Sequence, residues 1–102
     1  MSIPSIHRDG STLNIKIQSA FNLWIKNIIL NHINENTQIL KIDLSACKFI
    51  DSEGIIFLHQ WQQNGKKLQL INPPEIFFEM VEILELGDSW RPNVIKTNKE
   101  LP

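Results

Sequence analysis

The side chains able to do chemistry gather between Asp43 and Gly54. Asp43 stands near the end of an apolar run, Cys47 follows, and Asp51, Ser52, Glu53 and Gly54 open a stretch of apolar periodicity. A serine at the start of such a stretch is a helix-start signature, because its hydroxyl accepts from the free backbone N–H groups of the first turn. The same donors and the positive end of the helix dipole favour a phosphate at that place. Two readings of Ser52 therefore stand side by side: an ordinary helix cap and a phosphoacceptor. Asp43 and Asp51 read either as loop and cap carboxylates or as an acid/base pair.

Other reactive groups do not assemble. Cys47 is the single cysteine, which excludes an intramolecular disulfide and points to a reducing compartment. His7, His32 and His59 are scattered without metal-ligand spacing. No glycine-rich phosphate loop, nucleophile elbow or Cys/His pairing is present, and His59 reads as a surface or half-buried histidine, with a general base as the rarer alternative. The expectation is a protein that is not an enzyme and needs neither cofactor nor metal.

These residues must be positioned by short elements. Two β-prone runs, 3–7 and 12–17, flank Asp9-Gly10, a hairpin signal. From Ser19 the apolar residues Phe21, Ile25, Ile28, Ile29 and Ile33 recur with the helical period, predicting a first helix over 19–35. Residues 38–44 read as a central strand, with a loop through 45–51. A second helix follows from Ser52 and stops at Gly65, the strand 67–71 comes next, and a third helix runs over 75–86 to Gly87. Val94 and Ile95 suit a short edge strand. Strand and helix alternating after a hairpin predict an α/β fold: a mixed four- to five-stranded sheet with a parallel centre and three to four helices.

The helix wheel adds a second kind of candidate. In the second helix, Glu53, Phe57, Gln60, Trp61 and Asn64 share a face, while Ile55 and Leu58 lie elsewhere. If Ile55 and Leu58 pack inward, Phe57 and Trp61 form an exposed aromatic pair suited to anchoring a partner. The alternative folds Trp61 over neighbouring loops or the first helix. In the third helix, Ile76, Phe77, Met80, Val81 and Leu84 form a buried stripe opposite Glu75, Glu79, Glu82 and Glu85, with Phe78 out of place on the acidic side. Leu23 and Leu30 likewise fall away from the main stripe of the first helix.

With 102 residues there is room for one domain over 1–102, with a frayed polar tail at 97–102. Ten basic against eleven acidic residues give a net charge of -1, which excludes bulk attraction to nucleic acid. No secretion signal or membrane span is visible, so a cytoplasmic location without membrane insertion is expected.

The run Ile42-Asp43-Leu44-Ser45, then 49–55 with Asp51-Ser52-Glu53-Gly54, then 65–73 ending in Asn72-Pro73, resembles a STAS domain, the fold of bacterial anti-sigma factor antagonists. The resemblance covers about residues 12–95. It implies a partner-switching regulator of transcription: Ser52 matches the serine phosphorylated by an anti-sigma factor that is also a serine kinase, and the unphosphorylated form binds that kinase. Asp43, Asp51, Glu53 and Gly54, with Phe57 and Trp61, are then the partner-binding residues. A second implied reading is a non-switching STAS subunit on the ATPase of a lipid-transporting ABC complex. A homodimer is compatible with both.

Overall fold

The computed structural model describes residues 3–88 and 90–97. Its elements alternate as β1 (Ser5–Asp9), β2 (Thr12–Phe21), α1 (Leu23–Leu30), β3 (Ile39–Ile50), α2 (Ser52–Gln63), β4 (Lys67–Ile71), α3 (Glu75–Ile83) and β5 (Asn93–Ile95). The strands form one five-stranded sheet in the order β1-β2-β3-β4-β5. β1 and β2 pair antiparallel through a tight turn, with Asp9 opposite Thr12 and Gly10 at φ 64°. The remaining pairs are parallel. The predicted α/β class, hairpin, parallel centre and short edge strand are all present.

Sequential strand order has a direct consequence for the helices. Each parallel connection steps one strand in the same direction, and right-handed crossovers then place α1, α2 and α3 on the same face. The strands alternate accordingly. Leu13, Ile15, Ile17, Leu40, Ile42, Leu44, Leu68 and Leu70 are buried beneath the helices. Lys16, Lys41, Asp43 and Gln69, from the opposite face, are only partly buried or exposed. Burying a side chain of this size contributes about 1.5–3 kcal/mol, so this inner face dominates stability.

Several boundaries differ from the sequence expectation. The first helix spans Leu23–Leu30 and not 19–35: β2 runs on through Phe21, and beyond Leu30 the chain turns through bonds from His32 N–H to Ile29 O and from Ile33 N–H to Leu30 O. β3 likewise does not end in a loop at Ser45 but continues to Ile50, and the two extensions pair, Ala20 with Phe49 and Phe21 with Ile50. Register shifts and Ser19 at φ 71° absorb the irregularity. The third helix ends at Ile83 rather than Leu86. Glu85, at φ 58°, adopts the left-handed conformation; its N–H donates to Glu82 O and that of Leu86 to Val81 O, both at 3.0 Å. That is a Schellman stop with glutamate in the glycine position. Thr97, the first residue of the expected tail, is hydrogen bonded: its N–H donates to Asn72 Oδ1 at 2.9 Å and its hydroxyl accepts from Asn72 Nδ2 at 2.8 Å. The rest of the expected tail, 98–102, lies outside the described residues.

The expectation of an exposed Phe57/Trp61 pair is also corrected, since the two are only 6% and 8% exposed. α2 is the middle helix, so its flanks are covered by α1 and α3 as well as its base by the sheet. Phe57 meets Phe21 edge-on at 6.3 Å between ring centres. The Trp61 indole N–H donates to the Lys67 carbonyl at 2.7 Å, and the Lys66 ammonium lies 5.0 Å from its ring. Ile55 and Leu58 are fully buried on the same helix. Only the strip with Glu53, Ile56, Gln60 and Gln63 faces out.

Candidate functional site

The paired ends of β2 and β3 launch two helices from nearly the same place. Asn22 caps α1, its side-chain oxygen accepting from the Ile25 N–H at 3.1 Å. Asp51 caps α2, its Oδ1 accepting from the Gly54 N–H at 3.1 Å. A backbone bond from Asp51 N–H to Phe21 O at 3.1 Å ties the two starts together. Two positive helix ends thus sit side by side.

Ser52 is the first residue of α2 and not its cap. The capping reading of Ser52 is therefore overturned: Asp51 does that work, which leaves the Ser52 hydroxyl without a capping duty on a half-buried residue. The backbone N–H groups of Ser52 and Glu53 precede the first intrahelical donor, Ile55, whose N–H reaches Asp51 O at 3.2 Å. A charged oxygen on Ser52 would meet an N-terminal field that favours it, and Glu53 already places one carboxylate there.

That carboxylate is balanced across the helices. Lys26 Nζ of α1 pairs with Glu53 Oε1 at 3.4 Å, the lysine side chain partly buried and the glutamate about half exposed. A pair of this kind contributes about 0.2–1 kcal/mol. Lys26 was not a sequence candidate, because nothing in the spacing of residues 26 and 53 shows that α1 and α2 lie together. At the ends of the same elements, Leu23 and Trp24 of α1, Phe49 of β3 and Ile56 of α2 are apolar yet exposed. Leu23 is legible as an off-stripe residue; Phe49 is not, since its exposure follows from the strand extension.

The other candidates are distributed differently. Gly54 is buried at the contact of α2 with β2 and β3 and presents no surface. A Cβ there would come within 3.0 Å of the Phe21 ring. Asp43 lies in mid-strand, aligned with Lys16 and Ile71, on the sheet face away from the helices; its Oδ1 accepts from the Ser45 N–H at 2.9 Å. β3 continues through Ile50 before Ser52 is reached, so Asp43 and Asp51 are not a pair. Cys47 is 3% exposed and its thiol donates to the Phe49 carbonyl at 3.3 Å; burial pushes its pKa up. His59 packs edge-on against Trp90 at 5.2 Å, and its ring nitrogen lies 3.2 Å from Gln63 Nε2. Among the described residues no cluster of three metal-ligating side chains occurs, and no helix is long and apolar enough to cross a membrane.

No family model and no curated protein matches the sequence. Solved structures do match its fold. The anti-sigma factor antagonist SpoIIAA in its unphosphorylated form superposes with a TM-score of 0.68 at 13% identity, over 95% of this chain and 90% of that one. The phosphorylated form of the same Bacillus cell fate determinant gives 0.69 at 13% identity, over 95% and 93%. A structure of Mglu matches 70% of this chain against 19% of its own length, with a TM-score of 0.52 and 15% identity. The chain therefore has the STAS fold in its SpoIIAA-like form, with the mixed sheet, parallel centre, three helices and N-terminal hairpin.

Proposed function

We propose that this SpoIIAA-like chain is a partner-switching regulator of the anti-sigma factor antagonist type, which binds an anti-sigma factor with serine kinase activity and is released from it by phosphorylation of Ser52. The observation that carries the reading is the assignment of the α2 cap to Asp51, which leaves the Ser52 hydroxyl beside two helix N-termini with no structural duty. The docking surface consists of the first turn of α2 and the start of α1, where Asp51, Ser52, Glu53 and Lys26 are rimmed by Leu23, Phe49 and Ile56. The partner supplies the ATP and a base: the serine oxygen forms a bond to the γ-phosphorus as the bond to the ADP oxygen breaks, and the serine hydroxyl proton passes to the kinase's base. The product adds about -1.5 to -2 charges to a surface that holds Asp51 and Glu53. Like-charge repulsion and desolvation then oppose docking, while the helix N-terminus tolerates the phosphate and the fold persists.

Co-expression with the cognate kinase followed by intact-mass measurement tests this reading. One added phosphate is expected on the wild type and none on Ser52→Ala. In binding assays Ser52→Ala keeps the partner and Ser52→Asp loses it. An unchanged mass together with equal binding by both variants refutes the switch; retention of a transporter ATPase in that case would favour the subunit of a lipid-transporting ABC complex.

A further inference from the structure

α3 and the segment after it enclose a groove with two chemically different ends. One end is a slot of about 310 Å3 whose walls are Phe77, Phe78, Val81, Trp90, Pro92 and Val94. The other, of about 580 Å3, runs between Phe78, Val81 and Gly87 and the carboxylates of Glu82, Glu85 and Asp88. Phe78, Val81 and Gly87 line both, so the two ends are continuous. The apolar volume is that of a small-ligand or side-chain pocket.

The slot is preformed. Trp90 is buried, its indole N–H donates to Gln62 Oε1 at 2.6 Å, and its ring meets Phe77 at 5.7 Å. Arg91 donates to the carbonyls of Gly87 and Trp90 and so braces the wall that carries them. Phe78, the aromatic residue that interrupts the acidic side of α3, is 43% exposed at the junction of the two ends. An exposed aromatic at the lip of a rigid apolar slot is what an interface anchor pocket presents.

The charge around the groove selects the occupant. Glu82, Glu85 and Asp88, which line it, are exposed, Glu75 and Glu79 extend the acidic side of α3 beyond it, and among the described residues none of the five is held in an ion pair. Two cations stand by the groove: Arg91, which lines the slot and is engaged with backbone carbonyls, and Lys96, whose ammonium lies 5.9 Å from the Phe78 ring. The rim is strongly acidic on a chain whose net charge is only -1. We propose that this groove docks a polypeptide segment in which an aromatic or aliphatic anchor is flanked by lysine or arginine, the anchor entering the Trp90 slot and the cations meeting the α3 rim. α1 and α3 flank α2 from opposite sides, so this second docking surface is separate from the Ser52 region and its occupancy does not depend on the switch.

The test titrates a short synthetic amphipathic lysine–leucine peptide into the isotopically labelled full chain at low salt and follows the amide and indole resonances. Shifts are expected at Phe78, Val81, Gly87 and the Trp90 indole, with little change at Ser52. Reversing Glu82→Lys together with Glu85→Lys is expected to weaken binding at least about tenfold, since the reversal sets like charges against each other. Gly87→Leu should abolish it by filling the groove; the first carbon added there would lie 3.9 Å from Val81 Cγ1, an ordinary contact. The double reversal alters exposed residues only, so it stands as the test if the Leu variant does not fold. Equal affinity after reversal, equal binding of a glutamate–leucine peptide, shifts scattered over the molecule, or sedimentation showing that a second copy of the chain occupies this face would each overturn the proposal.

Discussion

Gly54 and Phe21 touch at the closest approach of helix and sheet. A Cβ on Gly54 would lie 3.0 Å from the Phe21 ring, 3.1 Å from its carbonyl oxygen and 3.2 Å from Ile50 Cγ2. The Phe21 carbonyl also accepts the Asp51 N–H, so it has no freedom to retreat. Glycine at position 54 is what lets the first turn of α2 settle onto the ends of β2 and β3. Gly54→Ala is expected to destabilise the protein by about 1–3 kcal/mol, the range for overpacking, despite the better helix propensity of alanine. Urea unfolding measures this, and an unchanged midpoint would show that the contact yields.

Because Asp51 and not Ser52 caps α2, the two residues should respond unequally to alanine. Asp51→Ala is expected to cost about 1 kcal/mol. Ser52→Ala and Ser52→Asp should each stay within about 0.5 kcal/mol of the wild type, as surface changes do. Thermal and urea unfolding of the three variants separates the roles. A larger loss at Ser52 than at Asp51 would restore the serine as the cap.

Glu85 occupies the left-handed position that ends α3, where a side chain is strained and glycine is not. Glu85→Gly should therefore stabilise the protein by about 0.5–1 kcal/mol, net of the extra freedom glycine gives the unfolded chain. A higher urea midpoint with unchanged slope is the expected outcome. Glu85→Ala, which keeps a Cβ, should give no such gain.

Cys47 ties stability to alkaline pH. Burial raises its pKa above the ordinary value of 9.0, so the folded state holds the thiol proton more tightly than the unfolded chain does. Its contribution is complete below that value and is lost as pH rises through the folded-state pKa. Urea midpoints should fall between pH 8 and pH 10 more in the wild type than in Cys47→Ala. The native thiol should also react slowly with thiol reagents until denaturant is added. Parallel pH curves for the two proteins would remove the linkage.

Local chemistry made much of this fold readable. Asp9-Gly10 marks its hairpin, Gly65 ends α2 in the left-handed conformation at φ 82°, and the alternation of 67–71 is that of a sheet strand. What stayed hidden needed a neighbour. Phe21 fits a helical stripe as well as a strand end until β3 pairs with it, and residues 45–50 look like a loop because their pairing partner lies in β2. Phe57 and Trp61 fall beside the Ile55 and Leu58 stripe on the wheel, and they are buried against Phe21 of β2 and the Lys67 carbonyl of β4, contacts visible only once those strands are in place. Gly87 reads as the stop for α3 by residue type, but Glu85 reaches the left-handed conformation first. At the site, Asp51, Ser52 and Glu53 were legible as a helix start; Lys26 became visible only when α1 and α2 came together.

The strand order β1-β2-β3-β4-β5 is also an order of synthesis. Every strand docks on the one made just before it, so the growing sheet always offers its newest edge as the template for the next segment leaving the ribosome. No strand waits for a partner encoded far downstream, and unpaired edges that invite misassociation are short-lived. β5, at three residues, leaves little edge on which addition can continue.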